Sequence, residues 1–456
     1  MKRIILFFLF IPACAFSQKT KQDVAESIDA GYDKYTAVAK KIWEYAEVGY
    51  QETKSSALLQ ETLSEAGFKI EKGVAGMPTA FVATYGSGKP VIGILGEFDA
   101  LPGVSQDAVP EIRKVEGRPA GHACGHHLFG TASSAAAIAV KDWLIANKKQ
   151  GTIRFYGTPA EEGGSGKVYM VREGLFNDVD VVFHWHPGSQ NNAGASSSLA
   201  NKTGKFRFYG VAAHAAASPE RGRSALDGVE AMNDMVNMMR EHITQDSRIH
   251  YVITRGGEAP NVVPAFAEVY YYVRHPKRTE VKDMWDRLTR AAQGAALGTD
   301  TKVEWEITGG VYDLLPNETL AKVMDANLRA VGGYTYTPEE KVFAEKIQTT
   351  FTSAPALSTT NIINEFKVSD GSGFGSTDVG DVSWVVPTAG LSTATWVPGT
   401  AAHSWQAVAA GGTSIGNKGM MMAAKTMAFS IIDVFSNPAT IDAAWKELKK
   451  RTGENF

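Results

Sequence analysis

The order of strands and helices is the feature that most limits what this chain can fold into. Up to about residue 199, predicted strands alternate with helices, and the strand Pro90–Leu95 is almost entirely apolar, as expected for burial on both faces. Alternation of this kind predicts a mostly parallel sheet covered by helices, an α/β fold. The predicted helices are 24–46, 57–66, 127–146 and 168–173, and the predicted strands are 79–85, 90–95, 152–156 and 179–183.

Between residues 200 and 312 the pattern changes to strand, helix, two strands, helix, strand. This order predicts a compact antiparallel sheet with two helices. The alternating pattern returns after about Asp313 and ends in a long apolar helix at 416–435. Because 456 residues exceed the usual limit of one hydrophobic core, two domains are expected. We therefore predict one α/β domain from residues 18–199 and 313–456, with an α+β domain inserted at 200–312.

Residues 1–17 have the composition of a secretory signal peptide. Lys2 and Arg3 precede an apolar run at 4–11, and small residues follow at 15–17. A membrane anchor is the alternative, but the run is short and a polar segment follows at once. Ile11-Pro12-Ala13-Cys14 also resembles a bacterial lipoprotein box, so lipidation of Cys14 is a second alternative. A cleaved signal peptide and a lipidated Cys14 both predict export, to the periplasm or the cell exterior. A net charge of -3 provides no basic surface for nucleic acid.

The loop Gly121-His-Ala-Cys-Gly-His-His127 is the stretch most specialised for chemistry. In an extended loop Cys124 and His126 project to the same side and form a chelating pair for a metal such as zinc. The alternative is a buried cysteine followed by histidines that cap a helix. Without the leader Cys124 is the only cysteine, so it cannot form an internal disulfide. This favours the interpretation as a metal ligand.

Carboxylates and imidazoles follow three predicted strands, namely Glu97 and Asp99, Glu161 and Glu162, and His184 and His186. Singly, each could be an ordinary acidic loop residue or a surface histidine. In parallel sheets, however, strand ends meet at one edge, where ligands bind. Adjacent residues in extended backbone point in opposite directions. One glutamate of the Glu161-Glu162 pair could therefore bind metal while the other acts as a general base.

Together these motifs resemble the aminoacylase and carboxypeptidase family of di-metal peptidases. The matching motifs are Asp99-Ala-Leu-Pro102, Cys124-Gly-His126, Glu161-Glu162-Gly-Gly164, a histidine near the next strand end, and Ala402-His403-Ser404. Within the family, the chain is most similar to the branch that contains aminobenzoyl-glutamate hydrolase and the auxin-amino-acid conjugate hydrolases. The former is favoured by Leu199-Ala-Asn201, Asn261-Val-Val-Pro264 and the motif Ser376-Thr-Asp-Val-Gly-Asp-Val-Ser-Trp384. The resemblance covers nearly the whole chain after the leader.

The resemblance implies a catalytic domain with two divalent metal ions bridged by Cys124, and a catalytic base at Glu161. The remaining ligands would be His126, Glu162, His186 and His403. We prefer His186 because its distance from Gly174 fits the family's spacing; His184, the alternative, would then be a structural neighbour. Zinc, manganese and cobalt all suit this mixed set of ligands.

The resemblance also implies roles around the metals. Asp99 would orient an imidazole, and Asp381 would support the site in a similar way. His214, in the inserted domain, would reach the active site of a neighbouring subunit and polarise the scissile carbonyl, which implies a homodimer with the inserted domain as lid and dimerisation domain. Asn261 and Arg274 would bind the substrate's carbonyl or carboxylate. Their alternatives are a capping asparagine and a surface arginine.

The sequence thus predicts an exported, metal-dependent amidohydrolase that cleaves an amide next to a free carboxylate. The substrate would be N-aminobenzoyl-glutamate or a similar N-acyl amino acid or dipeptide. One rival is a dipeptidase or carboxypeptidase on the same scaffold; another is a non-catalytic peptide-binding protein, which would have lost ligands. A structural zinc protein would close a four-ligand site and need no Glu161. In one departure from relatives, His127 replaces an acidic residue or asparagine, where it could compete for metal or cap the helix.

Overall fold

The structure is a computed structural model that describes residues 19–369 and 375–453. The predicted signal peptide at 1–17 and Cys14 lie outside the described residues. The helices are α1 Lys21–Ala30, α2 Tyr32–Tyr45, α3 Thr53–Glu65, α4 His126–Ala146, α5 Gly166–Arg172, α6 Ala225–Met239, α7 Arg278–Gly298, α8 Glu318–Val331, α9 Pro338–Gln348, α10 Val379–Ser383, α11 Trp405–Gly411, α12 Ser414–Ser436 and α13 Ala439–Thr452. The strands are β1 Lys69–Lys72, β2 Phe81–Ser87, β3 Val91–Glu97, β4 Leu101–Pro102, β5 Ala120–Gly121, β6 Gly151–Thr158, β7 Val181–Gly188, β8 Ala195–Ser196, β9 Ala200–Tyr209, β10 Arg248–Arg255, β11 Phe266–His275, β12 Lys302–Val311, β13 Val368–Ser369 and β14 Thr388–Ala394.

The larger sheet has six strands in the order β1-β2-β6-β3-β7-β14. Strands β6, β3, β7 and β14 run parallel, whereas β1 and β2 pair antiparallel at one edge. Strand β3 is buried along its whole length, as its apolar sequence predicts. Helix α4 packs on β3, β6 and β7, and α12 packs on α4, β7 and β14. The predicted α/β class with a mostly parallel sheet is confirmed.

Two helices of this domain, α4 and α12, are long and apolar enough to cross a membrane. Their most apolar windows are 78% and 83% buried inside the protein. They owe this composition to their place in the core, between the sheet and the other helices.

The first predicted helix is divided in two. The sequence predicts one helix over 24–46, but α1 ends at Ala30 and α2 begins at Tyr32, with Gly31 between them. A Cβ atom at Gly31 would lie 2.6 Å from the ring of Tyr35. The apolar spacing continues across the break, so the periodicity alone could not reveal it.

The smaller sheet has four antiparallel strands in the order β10-β11-β9-β12. Helices α6 and α7 pack on it, and together they enclose a hydrophobic core of their own around Phe206, Met232 and Trp285. These elements occupy residues 200–311, within the chain that builds the larger sheet on both sides. The additional α+β domain expected from the sequence is therefore present.

Candidate metal centre

The carboxyl edge of the larger sheet collects the residues that the sequence indicates. In the parallel pair β3 and β6, Glu97 lies opposite Thr158, so the Asp99 loop and the Glu161-Glu162 loop leave the sheet side by side. His186 stands near the end of β7, the neighbour of β3. Helix α4 begins at His126 and brings the Cys124 loop to the same edge.

The first group of possible ligands consists of Cys124, His126 and His186, whose ligand atoms lie within 4.8 Å of one another. The Cys124 Sγ is 3.5 Å from the His186 Nε2. His126 Nδ1 donates to Asp99 Oδ1 at 2.8 Å, and His186 Nδ1 donates to the Pro187 carbonyl at 2.7 Å. Because these bonds place the proton on Nδ1, both imidazoles keep an Nε2 lone pair for a metal ion.

The second group consists of Cys124, Glu162 and His403, again within 4.8 Å of one another. Glu162 Oε1 is 3.4 Å from His403 Nε2. The backbone N–H of Glu162 donates to Asp99 Oδ2 at 2.9 Å. The Asp99 carboxylate therefore contacts one residue of each group, His126 and Glu162. Cys124 is common to the two groups and could therefore bridge two ions.

The unpaired ligand atoms show that the site fits divalent cations. His126 Nε2 and Glu162 Oε1 are buried without a hydrogen-bond partner among the described residues, which is costly unless a further group binds there. Burial raises the pKa of the Cys124 thiol, so a thiolate here needs a cation beside it. Sulfur, nitrogen and carboxylate donors together suit a borderline-soft metal.

The pKa values of the Glu161 and Glu162 carboxyl groups are shifted in opposite directions, although the two residues are adjacent in the chain. Burial raises the pKa of the Glu161 carboxyl well above its usual range, and the carboxylates of Glu97 and Asp378 add to the effect. Burial acts in the same direction on Glu162, but the neighbouring imidazoles of His403 and His126 outweigh it and hold its pKa at about 2. Paired carboxyl groups with separated pKa values are typical of acid–base sites.

A buried lysine beside these groups was missed by the sequence analysis. The side chain of Lys167 is 0% exposed, and its Nζ lies 2.7 Å from Glu97 Oε1 and 2.7 Å from Asp378 Oδ1. Burial would lower the pKa of this ammonium, but the charges of Asp378, Glu97 and Glu161 outweigh that cost and raise it. The signal in the sequence was weak, since Lys167 is one lysine at the start of a short helix.

A cavity of about 810 Å³ opens over the two groups of ligands. The α/β domain contributes Cys124, Glu161 and Glu162 to its lining, and the inserted domain contributes Arg274 and Tyr272. The guanidinium of Arg274 lies 5.4 Å from the centre of the Tyr272 ring, and its buried Nε has no hydrogen-bond partner among the described residues. Arg274 is the only lysine or arginine in the described lining, so it is the natural partner for an anionic group in the cavity.

Two predicted site residues lie elsewhere in the inserted domain. His214 and Asn261 are exposed and do not line the cavity. They neighbour each other, since the backbone N–H of Ala215 donates to the Asn261 carbonyl at 3.0 Å. His214 Nδ1 accepts hydrogen bonds from the backbone N–H groups of Ala216 and Ala217 at 3.2 and 3.1 Å. The proton of the neutral ring is therefore on Nε2, which remains free to donate.

Three further residues of the sequence analysis lie outside the groups of ligands. Asp381 Oδ2 accepts a hydrogen bond from the backbone N–H of Tyr312 at 2.9 Å and so supports the chain that leaves β12, not an imidazole. His184 packs over Gly390, where a Cβ atom would be only 2.3 Å from its Nε2. His127 Nε2 donates to the Gly411 carbonyl at 3.0 Å, which fixes the ring away from the metal ligands.

The backbone around the ligands adopts conformations that few residues tolerate. Gly125, between Cys124 and His126, has φ 79°, and a Cβ atom there would lie 2.6 Å from Pro187. Three non-glycine residues also have positive φ: Ala160 at 58°, Ser165 at 57° and His403 at 61°. Such strain tends to collect at functional sites, where the surrounding structure holds it in place.

Two groups of metal ligands that share a cysteine, with a carboxylate pair on the edge of a parallel sheet, define a dinuclear metal hydrolase. The model of peptidase family M20/M25/M40 matches residues 93–363, and the chain belongs to this family. It is therefore a metal-dependent hydrolase that acts on amide bonds.

Comparisons with individual proteins agree with this assignment. The chain is 42% identical to a subunit of the p-aminobenzoyl-glutamate hydrolase of Escherichia coli (strain K12), over 95% of this chain and 96% of that protein. It is 30% identical to the Xaa-Arg dipeptidase of Mus musculus, over 95% and 93%. Among solved structures, a dinuclear metal-binding peptidase of family M20 from Bacillus subtilis has a TM-score of 0.61 at 16% identity, covering 90% of this chain and 99% of that one.

Proposed function

We propose that this chain hydrolyses the amide bond of N-aminobenzoyl-glutamate or a closely related N-acyl amino acid. The relative with 42% identity over almost the full length carries the name of that activity. The observation that carries the proposal is the placement of Arg274, which lines the same cavity as Glu161 and whose buried Nε has no hydrogen-bond partner among the described residues. A substrate whose released amino acid carries a free carboxylate would satisfy that guanidinium.

The mechanism assigns a task to each residue around the cavity. Cys124, His126, Glu162, His186 and His403 would hold two divalent cations, which when bound activate water and polarise the scissile carbonyl. Arg274 binds the substrate carboxylate and thereby fixes the amide over the carboxylate pair. Glu161 accepts a proton from the attacking water at a carboxylate oxygen and passes it to the nitrogen of the leaving amine.

Zinc or manganese is the proposed metal, and cobalt also suits the ligands. The thiolate and three imidazoles favour zinc, whereas the carboxylate is equally acceptable to manganese. Metal content of the purified protein by mass spectrometry, followed by reloading of the stripped protein with each ion, would identify the metal that supports turnover. The proposal expects two ions per chain, and a single tightly bound ion would contradict it.

The substrate is tested by incubating the protein with N-aminobenzoyl-glutamate, N-acyl amino acids and dipeptides, each with and without a chelator, and detecting products by mass spectrometry. We expect release of aminobenzoate and glutamate that the chelator abolishes and added metal restores. Cleavage of every N-acyl amino acid at the same rate would contradict the preference for glutamate. No cleavage in the panel by protein with two bound metals would contradict the proposal as a whole.

A dipeptidase is the second candidate, because the mouse relative is named for dipeptides that end in arginine. A basic side chain would need a carboxylate of its own in the cavity. Glu161, Glu162 and Asp378 are the only carboxylates in the described lining, and all three belong to the centre or to its lysine. The described lining therefore offers no carboxylate free to bind a basic side chain, and dipeptides ending in arginine belong in the panel as the direct comparison.

A homodimer through the inserted domain is proposed as the working assembly. His214 is exposed, presents an Nε2–H donor and lies outside the cavity of its own chain. Strand β10 forms an edge of the smaller sheet, with Tyr251, Val252 and Ile253 exposed on it, and unpaired edges of this kind favour pairing with another chain. The relative from E. coli is named as one subunit of its enzyme, so a complex with a second type of subunit is the alternative.

Export to the periplasm is proposed from residues 1–17 alone. A cleaved leader would leave a mature chain that begins near residue 18, whereas lipidation would leave Cys14 as the first residue. Mass spectrometry of the intact protein from a cell fraction would distinguish the two. An uncleaved chain in the cytoplasm would contradict both.

A further inference from the structure

We propose that the segment 49–52, through Glu52 and Tyr50, holds Glu161 in position for the reaction. This segment lies between α2 and α3 and supplies no atom to the groups of metal ligands. Glu52 and Tyr50 are therefore positioning residues, which act on the base through the backbone of its loop. The inference rests on the proposed function, in which Glu161 is the base, and deepens it by naming what supports that base.

Ala160, directly before Glu161, adopts a conformation that residues with a Cβ atom rarely take. Its φ is 58°, in the left-handed region. Such a conformation persists only where the surrounding structure holds it. The backbone N–H of Ala160 donates to Glu52 Oε1 at 2.8 Å, and its carbonyl accepts from the backbone N–H of Gly164 at 2.9 Å. Glu52 thus fixes the chain one residue away from the base.

The Glu52 side chain is itself fixed. The residue is 0% exposed, and Thr79 Oγ1 donates to its Oε2 at 3.0 Å. Removing a carboxyl group from water is costly unless it is hydrogen-bonded. The bond to Ala160 is thus part of what makes burial of this acid tolerable, and it joins the segment to the loop of Glu161.

The same segment also contacts the other end of that loop. Tyr50 Oη donates to the Gly164 carbonyl at 2.5 Å. A Cβ atom at Gly164 would lie 2.5 Å from the Tyr50 ring, and a Cβ atom at Gly49 would lie 2.9 Å from the Cβ of Ala160. Both ends of the loop that carries Glu161 therefore pack closely against this segment.

Glu161 depends on this support more than Glu162 does. Glu162 has two further anchors, since its backbone N–H donates to Asp99 Oδ2 at 2.9 Å and its Oε1 lies 3.4 Å from His403 Nε2. The Glu161 carboxyl is influenced mainly by burial and by nearby charges, so the backbone of its loop sets its position. Loss of the Glu52 contact should displace the base and leave the metal ligands in place.

The kinetic test compares the wild type with Glu52→Leu, Glu52→Gln and Glu47→Leu. We expect Glu52→Leu to lower kcat by about 10- to 100-fold with KM and two bound ions unchanged, since a shift of about 1 Å can cost about 10²-fold. Glu52→Gln should keep most of kcat, because its amide oxygen can still accept from Ala160. Burial raises the pKa of the Glu52 carboxyl to about 7, so a neutral amide suits this position near neutral pH.

Glu47→Leu is the matched control. The Glu47 carboxylate lies in the same connection between helices, but it accepts from the first turn of α3, with the Ser55 backbone N–H at 2.9 Å. This variant should lower the thermal stability and keep the wild-type kcat. Tyr50→Phe changes a residue that is 41% exposed, so it should fold normally and lower kcat less than Glu52→Leu does.

Hydrogen exchange measures the contact without substrate. In metal-loaded protein, peptides that contain Ala160 should exchange at least about fivefold faster in Glu52→Leu than in the wild type or in Glu52→Gln, because one hydrogen bond is lost. Tyr50→Phe should accelerate exchange in the same peptides to a smaller extent. Peptides from the inserted domain should not change.

Several results would overturn the inference. Full kcat in a folded Glu52→Leu protein would do so, as would a loss that Glu52→Gln shares or that Glu47→Leu reproduces. Should Glu52→Leu fail to fold, unchanged kcat and unchanged exchange in Tyr50→Phe would overturn it instead. No turnover by wild-type protein with two bound metals would contradict the proposed function, and the exchange experiment would still decide whether the segment holds the loop.

Discussion

A single sulfur atom connects the two halves of the metal centre. Cys124 belongs to both groups of ligands, while Asp99 holds His126 with one oxygen and the backbone of Glu162 with the other. The centre therefore depends on side chains that each serve two neighbours. Loss of either one should affect both metal sites together rather than one alone.

Replacement of the shared thiol tests this dependence. Cys124→Ser should weaken binding of both ions by at least about 100-fold, because a hydroxyl is a much poorer bridging ligand than a thiolate, and partners outside the ligand set alone are worth about 10- to 100-fold. Metal affinity is measured by competition with a chelator. Retention of both ions at wild-type affinity would make Cys124 a buried bystander.

The proposed base is tested by removing its charge and keeping its shape. Glu161→Gln should retain two metal ions but lower kcat by about 10²- to 10⁴-fold, since general base catalysis contributes on that order. Glu162→Gln is the matched control, because it should lose metal as well as activity. Full turnover by Glu161→Gln would exclude Glu161 as the base.

At the scale of elements, the sequence predicted which strand ends carry the site residues. It did not predict the contacts between distant residues that support this region. The apolar run of β3 and the alternation of strands and helices place Glu97, Glu161 and His186 at one edge, because parallel strands share a direction. By contrast, the bond from the Tyr312 backbone to Asp381 joins residues far apart in sequence. No local pattern encodes such a contact, so the role assigned to Asp381 from the resemblance could not be checked before the fold was known.

Asp381 makes the stability of this region depend on pH. Burial raises its pKa from an ordinary value of 3.8 to about 7, so the folded chain binds more protons than the unfolded chain between these values. The free energy of unfolding must then fall as the pH rises from about 4 to about 7. Asp381→Asn, whose amide oxygen can still accept from Tyr312, should be stabilising by about 1–3 kcal/mol at pH 8 and by much less at pH 4.

The measurement is urea unfolding of the wild type and of Asp381→Asn at both pH values. The difference between the two proteins cancels the contribution of all other titrating groups. An equal difference at pH 4 and pH 8 would show that folding does not raise the pKa of the Asp381 carboxyl.

At the scale of the whole molecule, the cavity is lined by residues from two domains, each with its own hydrophobic core. The ligands come from the six-stranded sheet, whereas Arg274 and Tyr272 come from the four-stranded sheet. Neither domain could recognise and cleave the proposed substrate alone. The composition and order of predicted elements indicated both domains. Which side chains of each domain line the shared cavity could be seen only in the three-dimensional structure.

Exchange of subunits tests the proposed role of His214. His214→Ala and Glu161→Gln should each be nearly inactive, because each homodimer lacks one group in both sites. After mixing in equal amounts, half of the dimers are mixed and one of their two sites is complete, so about one quarter of wild-type activity should return. No recovery, despite exchange shown by mass spectrometry, would remove the role across subunits.

The ligands are scattered over the chain, and this has a consequence for how the protein matures. His403 pairs with Glu162 across the whole inserted domain, and Cys124 lies earlier still. The ligands Cys124, His126 and His186 all precede the inserted domain, but the position that includes His403 is not complete until almost the entire polypeptide has been synthesised and its most distant segments have met, which is the slow part of folding. Completion of the two-metal centre is therefore a late event: a chain that ends before His403, or in which His403 has not yet met Glu162, lacks a ligand of the second position.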